Sequence, residues 1–250
     1  MPKPNPTPPR LYKTIFRVDY KAQLKFYNLL FDAAQQFSEY PHWQTTTLTV
    51  TLRDYDRKCS LAMQHNSFAY QQDLDVNPNQ TDYINKAITR LPELLEIPSY
   101  NRLGLRRKYL IATKLNFSEL VTTHYIKLSS QDERLIKLLP KKVTDTSYRI
   151  DCSEDNLLFR ILVGPVTKQE IPTHLGFDIE NHLNPSSRDR EFNDIIGALP
   201  TAATYFDIDI SRKEDNIPVA DGITFFAGVS DRIQKMINDF ENYLFEKELR

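Results

Sequence analysis

Glycine is scarce in this chain, six residues in 250, and none of the six stands in a phosphate-cradling loop. Gly104, Gly164, Gly176, Gly197, Gly222 and Gly228 form neither G-x-G-x-x-G nor G-x-x-x-x-G-K, and no serine occupies G-x-S-x-G. ATP-driven chemistry and serine hydrolysis are therefore disfavoured. Cysteine is scarcer still. Cys59 and Cys152 show no C-x-x-C spacing, which fits a reducing compartment and argues against a disulfide framework; both are expected as buried thiols. Net charge is also missing: 32 Lys and Arg against 33 Asp and Glu leave −1, so no global field draws the protein to nucleic acid or anionic lipid. No run approaches the roughly eighteen apolar residues that span a bilayer. Residues 1–10 carry five prolines without an apolar stretch, the composition of an extended arm and not of a signal peptide. The five histidines, His42, His65, His124, His174 and His182, have no metal-ligand spacing among themselves or with cysteine. A soluble, cytoplasmic protein with no cofactor and no membrane contact is expected.

What is present is enough apolar side chain, 40% with 11% aromatics, to bury a core. Thr14 to Tyr20 reads as a strand, followed by a helical stripe of Leu24, Tyr27, Phe31 and Ala34. Thr45 to Leu52 alternates as a half-buried strand, and Cys59, Leu61 and Met63 begin a second hairpin arm that runs to about Leu74. Thr81 to Ile97 is helical, bent at Pro92 and ended by Pro98. With the strand that follows, the first half has the β-α-β-β-α-β order of a split βαβ unit. Phe117 to Leu139 predicts two short helices, stopped by Pro140. Strands then follow at 147–152, 157–166, 174–183 and 204–211, with a short helix at 190–199. A strong amphipathic helix closes the chain, capped by Ser230, with Ile233, Met236, Ile237, Phe240 and Leu244 on one stripe. The expected architecture is α+β: two antiparallel sheets each backed by helices. Residues 1–10 form the arm, 11–140 the first half and 141–250 the second, ending in the long helix.

The segment Tyr100-Asn101-Arg102-Leu103-Gly104-Leu105-Arg106-Arg107-Lys108-Tyr109 carries the main functional signal. In a strand its alternation puts Arg102, Gly104, Arg106 and Lys108 on one face. Cations stacked along one pleat face repel unless carboxylates or bound anions neutralise them. Asp207-Ile208-Asp209 offers the carboxylates, so Arg102, Arg106, Asp207 and Asp209 are expected to form a charge network where the halves join. Left open are two uses of the same groups. Arg102, Arg106 and Lys108, with Tyr109 beside them, could hold a phosphate, nucleotide or protein partner. Asp178 and Glu180 repeat the acidic alternation around Ile179; were their strand beside 204–211, Asp178, Glu180, Asp207 and Asp209 could bind magnesium or manganese for phosphodiester hydrolysis. The lysine that a nuclease of the common restriction type wants after the acid pair is replaced by Ile210 and Ser211. The Gly222 to Gly228 segment is read as a packed turn, with a mobile flap as the alternative.

Tyr100-x-Arg102-Leu103-Gly104-Leu105-Arg106, with Asp207-Ile208-Asp209 about a hundred residues later and a terminal helix bearing Asp231, Phe240 and Glu241, resembles a sporadically distributed prokaryotic family of about this length. The family pattern is Y-x-R-[IL]-G-[LM]-R and a late D-[IV]-D strand; this chain departs from it at Arg107-Lys108, where an aromatic and an asparagine are expected. The resemblance implies an intracellular α+β protein, an accessory component of mobile or defence-associated loci, and no catalytic residue. Together these readings favour a non-catalytic binding or interaction module with a protein partner.

Overall fold

In a computed structural model, which describes residues 9–28, 32–129, 143–176 and 179–245, nine strands form one antiparallel sheet. Its order is β2-β3-β4-β5-β1-β6-β9-β8-β7. The strands are β1 Arg10–Tyr20, β2 His42–Thr45, β3 Val50–Asp54, β4 Cys59–Gln64, β5 Ser67–Asp73, β6 Ser99–Ala112, β7 Tyr148–Glu154, β8 Leu157–Thr167 and β9 Ala202–Pro218. The helices are α1 Ala33–Gln36, α2 Gln80–Leu95, α3 Phe117–Ser129, α4 Ile171–Leu175, α5 Arg188–Gly197 and α6 Asp221–Phe245, with 3-10 turns at Leu24–Asn28 and Ile179–His182.

The two expected sheets are one. Strand β6 pairs β1 along one edge and β9 along the other over nearly its whole length, so neither half keeps a free central edge to close a sheet of its own. Every neighbour is antiparallel, including both partners of β1, so the split βαβ arrangement with its parallel pair is absent from the sheet. Residues 99–112 and 202–218 thus join the two halves through a shared ladder. The helix expected at Thr81 to Ile97 is α2, Gln80–Leu95, with Pro92 in its last turn.

Several elements differ locally, for physical reasons. Thr45 to Leu52 is not one strand, because Thr46 N–H bonds Thr49 O at 2.8 Å and turns β2 into β3. The alternation hid the turn because it contains no glycine, proline or asparagine. The long arm after Cys59 likewise folds back at His65 and Asn66 into β4 and β5. Leu24 stands 82% exposed on a 3-10 turn, not on a buried helical stripe. The expected strand at 174–183 is α4, ended by Gly176 in the left-handed region at φ +56°, followed by the 3-10 turn. The terminal helix starts at Asp221, so the Gly222 to Gly228 segment is helix, neither turn nor flap. Cys59 is buried as expected, but Cys152 is exposed on β7. The proline arm up to residue 8, and Leu135 to Pro140 with the second helix expected there, lie outside the described residues.

One face of the sheet carries the main core. Phe16, Leu52, Leu61, Phe68, Tyr70, Leu103, Leu105, Phe206, Ile208 and Ile210 point to it and meet Ile84 and Ile88 of α2 and Phe226, Ile233 and Ile237 of α6. Five fully buried helix side chains at about 1.5–3 kcal/mol each hold these helices down before ordering entropy is subtracted. Among the described residues the opposite face is covered only in part. There Ile171, Leu175, Leu183 and Leu199 cap Tyr12, Leu110, Ala203 and Tyr205, and the remainder of the pleat carries the charged residues. Among the described residues no helix is long and apolar enough to cross a membrane.

Candidate functional site

The sparsely covered face is built by register. Lys108 lies opposite Asp207, Arg106 opposite Asp209, and Arg160 opposite Asp209 from the other side. Side chains directly across antiparallel strands stand about 4.5–5.5 Å apart at Cβ, which makes this row a continuous strip of alternating charge. Its anchor is Asp207, only 2% exposed. Arg106 forks onto it, with Nε donating to Oδ1 at 2.7 Å and a second nitrogen donating to Oδ2. Tyr205 Oη donates to Oδ2 at 3.1 Å, and Lys108 Nζ lies 3.7 Å from the same oxygen. Asp209 sits one pleat away, its carboxyl pushed up by burial against the pull of Arg102 and Arg106.

Lys108 faces inward. It is 7% exposed and donates to His174 O at 2.8 Å, at the end of α4. Burial depresses its ammonium to about 8, with Asp207 pulling the other way. Its register partner Lys13 makes the parallel arrangement, donating to Gly176 O and pairing Asp73 Oδ1 at 3.3 Å. Two lysines from adjacent strands therefore clasp the C-terminal carbonyls of α4, each with a buried carboxylate behind it. Lys108 thus fastens the cover to the sheet. Tyr109 is 2% exposed on the helix side of the sheet, packed in the main core, so it does not join the arginines.

Arg102 reaches the open surface. Its guanidinium lies over Gly104, where a Cβ would stand 3.6 Å from it, and approaches Asp19 Oδ2 at 3.9 Å. From Arg102 the surface dips into an open depression of about 450 Å³ lined also by Arg149, Asp151, Arg160, Asp209 and Ser211. Asp151 is held low by hydrogen bonds from Arg149 and Arg160, at 2.6 and 3.0 Å. Arg149 and Arg160 remain 57% and 54% exposed. Neither arginine was picked out from the sequence, yet the signal was present: in Leu158, Arg160 and Leu162 the period-2 alternation opposes the inward Phe159, Ile161 and Val163.

The four-carboxylate metal site loses its premise. The strands beside Asp207 and Asp209 are β6 and β8, and Glu180 belongs to a 3-10 turn instead of a strand. Asp178 lies outside the described residues. Among the described residues no group of three or more His, Cys, Asp and Glu is placed to hold a metal ion.

A second polar cluster comes from three remote segments and had no local signature. His182 Nδ1 lies 2.6 Å from Asp73 Oδ2 and its Nε2 lies 2.8 Å from Ser60 Oγ. The order of contacts matches a Ser-His-Asp relay. Acyl transfer, however, needs donors aimed at a developing oxyanion, and β4 is an interior strand whose ladder engages β3 on one side and β5 on the other. With Lys13 also on Asp73, the cluster reads as the peg that fixes the Ile179–His182 turn to the sheet. Neither a scan against protein-family models nor a search of curated proteins returned a match for this chain.

Proposed function

We propose that the protein is a non-catalytic binding module that presents the depression around Arg102, Arg149 and Arg160 to an acidic segment of a protein partner. The observation that carries this reading is three arginine side chains, a third to more than half exposed, converging on one depression from β6, β7 and β8. Guanidinium forks pair best with carboxylates or phosphates. The net charge of −1 gives a nucleic-acid backbone no long-range steering, which favours the former. Asp207 supports a role without chemistry, because Arg106 and Tyr205 donate to its two oxygens and Lys108 stands beside them.

Fluorescence anisotropy with a labelled glutamate-rich peptide tests the reading, alongside a single-stranded oligonucleotide and pyrophosphate as competitors. Salt-sensitive peptide binding is expected, weakened about tenfold or more by Arg102→Ala with Arg160→Ala. Tighter binding of the oligonucleotide or pyrophosphate would refute the choice of partner. Metal-dependent cleavage of nucleic acid that disappears in Asp207→Ala would refute the non-catalytic assignment.

A further inference from the structure

The sheet ends at β7, whose seven residues are almost all exposed and whose one strand partner among the described residues is β8. A free edge of this length presents unpaired N–H and C=O groups to any strand that can align with it. Proteins that must stay apart blunt such edges with proline, bulges or charges; β7 has no proline or bulge, and its neighbouring charges Arg149 and Asp151 are of opposite sign. The opposite edge, β2, is only four residues long.

Tyr148-Arg149-Ile150-Asp151-Cys152 is self-complementary in one antiparallel register. Centred on Ile150, it sets Arg149 against Asp151 of the partner subunit and Asp151 against Arg149 of the partner subunit, while Tyr148 faces Cys152 of the partner subunit. Moving the centre by one residue destroys this: centring on Asp151 opposes two aspartates, and centring on Arg149 opposes two arginines. A centre on Cys152 puts Ile150 against Glu154 of the partner subunit. The favoured register also covers Ile150, which is 42% exposed in the single chain.

We infer that two copies of this chain associate through antiparallel β7 pairing about a two-fold axis at Ile150, extending the sheet across both subunits. Antiparallel pairing about such an axis keeps each face continuous, so Arg149 and Asp151, which line the depression, extend it into the neighbouring copy. The association is independent of the partner assigned to that depression.

The test is a charge-reversal pair, Arg149→Asp and Asp151→Arg, followed by sedimentation velocity. The wild type is expected to be a dimer. Each variant alone opposes like charges at both pairs and should dissociate roughly tenfold more readily. Mixed together they place opposite charges at both positions, so a heterodimer of wild-type affinity should form. A wild type that stays monomeric up to its solubility limit, or a mixture that associates no better than its components, overturns the inference. Amide-exchange protection of β7 in a monomer would also overturn it, since the chain's own residues would then occupy the edge. Cross-linking supplies a second readout. In a Cys152→Ser background, Ile150→Cys faces itself across the axis and should oxidise to a covalent dimer, whereas Ser153→Cys, about 20 Å from its counterpart, should not. The reverse pattern rejects the register.

Discussion

Replacing Asp207 by alanine removes the one carboxylate that serves Arg106, Lys108 and Tyr205 together. Truncating one side of a buried ion pair costs about 3–5 kcal/mol because the partner charge is left behind. Here the partners differ. Arg106 is 38% exposed and can turn to water, whereas Lys108, at 8%, cannot while it is tied to His174 O. The lower end, about 3 kcal/mol, is therefore expected, which for a chain of this size lowers Tm by roughly 6–12 °C. Asp209→Ala is the control, since that carboxyl is already pushed up by burial, and its loss should change stability by less than about 1 kcal/mol. A pH arm isolates Lys108. Its folded value, about 8, lies below the ordinary lysine value of 10.5, so between these limits the unfolded chain holds the proton more firmly and stability rises with pH; below 8 the burial cost is fully present. Without Asp207 the lysine shifts further down, so the Asp207→Ala penalty should shrink when urea unfolding is repeated at about pH 9.5 instead of about pH 7. Equal penalties for the two aspartates, or a penalty that does not change with pH, would refute the assignment of Lys108 as a clasp dependent on Asp207.

His124 is fully buried with Nε2 2.8 Å from Thr204 Oγ1, and burial depresses its imidazole to about 4. Its stabilisation is complete above the unfolded value of 6.5 and is lost as pH falls towards 4, so His124→Gln should remove about 2 kcal/mol of the wild type's acid sensitivity at about pH 5 in urea titrations. Two glycines of α6 should respond with opposite sign. A Cβ on Gly222 would stand 2.7 Å from Ile88 Cγ2, so Gly222→Ala should destabilise by about 1–3 kcal/mol in thermal melts; Gly228 has open space around it, and Gly228→Ala should stabilise by about 0.5–1 kcal/mol.

The strands that alternate cleanly were legible. Val50 and Leu52, or Leu103 and Leu105, announce their buried face through period 2, and α2 and α6 announce theirs through period 3.6. Less legible were elements held by tertiary contacts with no local signature. Residues 174–183 alternate enough to suggest a strand, yet two lysines, Gly176 in the left-handed region and the His182 peg hold a helix at Ile171–Leu175 and a turn at Ile179–His182. Ser60, Asp73 and His182 come together only because β4, β5 and that turn meet, a juxtaposition that no spacing in the chain encodes.

The charges of β6 and β9 explain why the number of sheets was the hardest feature to read. Arg106 and Asp207 do meet, as their signs require, but opposite charges on two strands fit two geometries: face to face between stacked sheets, or side by side within one. Stacked sheets lie about 10 Å apart. That gap is normally filled by apolar side chains, and charges spanning it would be taken out of water from every side at a cost their attraction seldom covers. Neighbouring strands put the same groups about 5 Å apart with one side still open to water, which is where Arg102 and Arg160 are found. Desolvation thus selects the single sheet. The same term leaves the arginines of the depression wet, while Asp207, buried at the foot of the strip, is surrounded by donors.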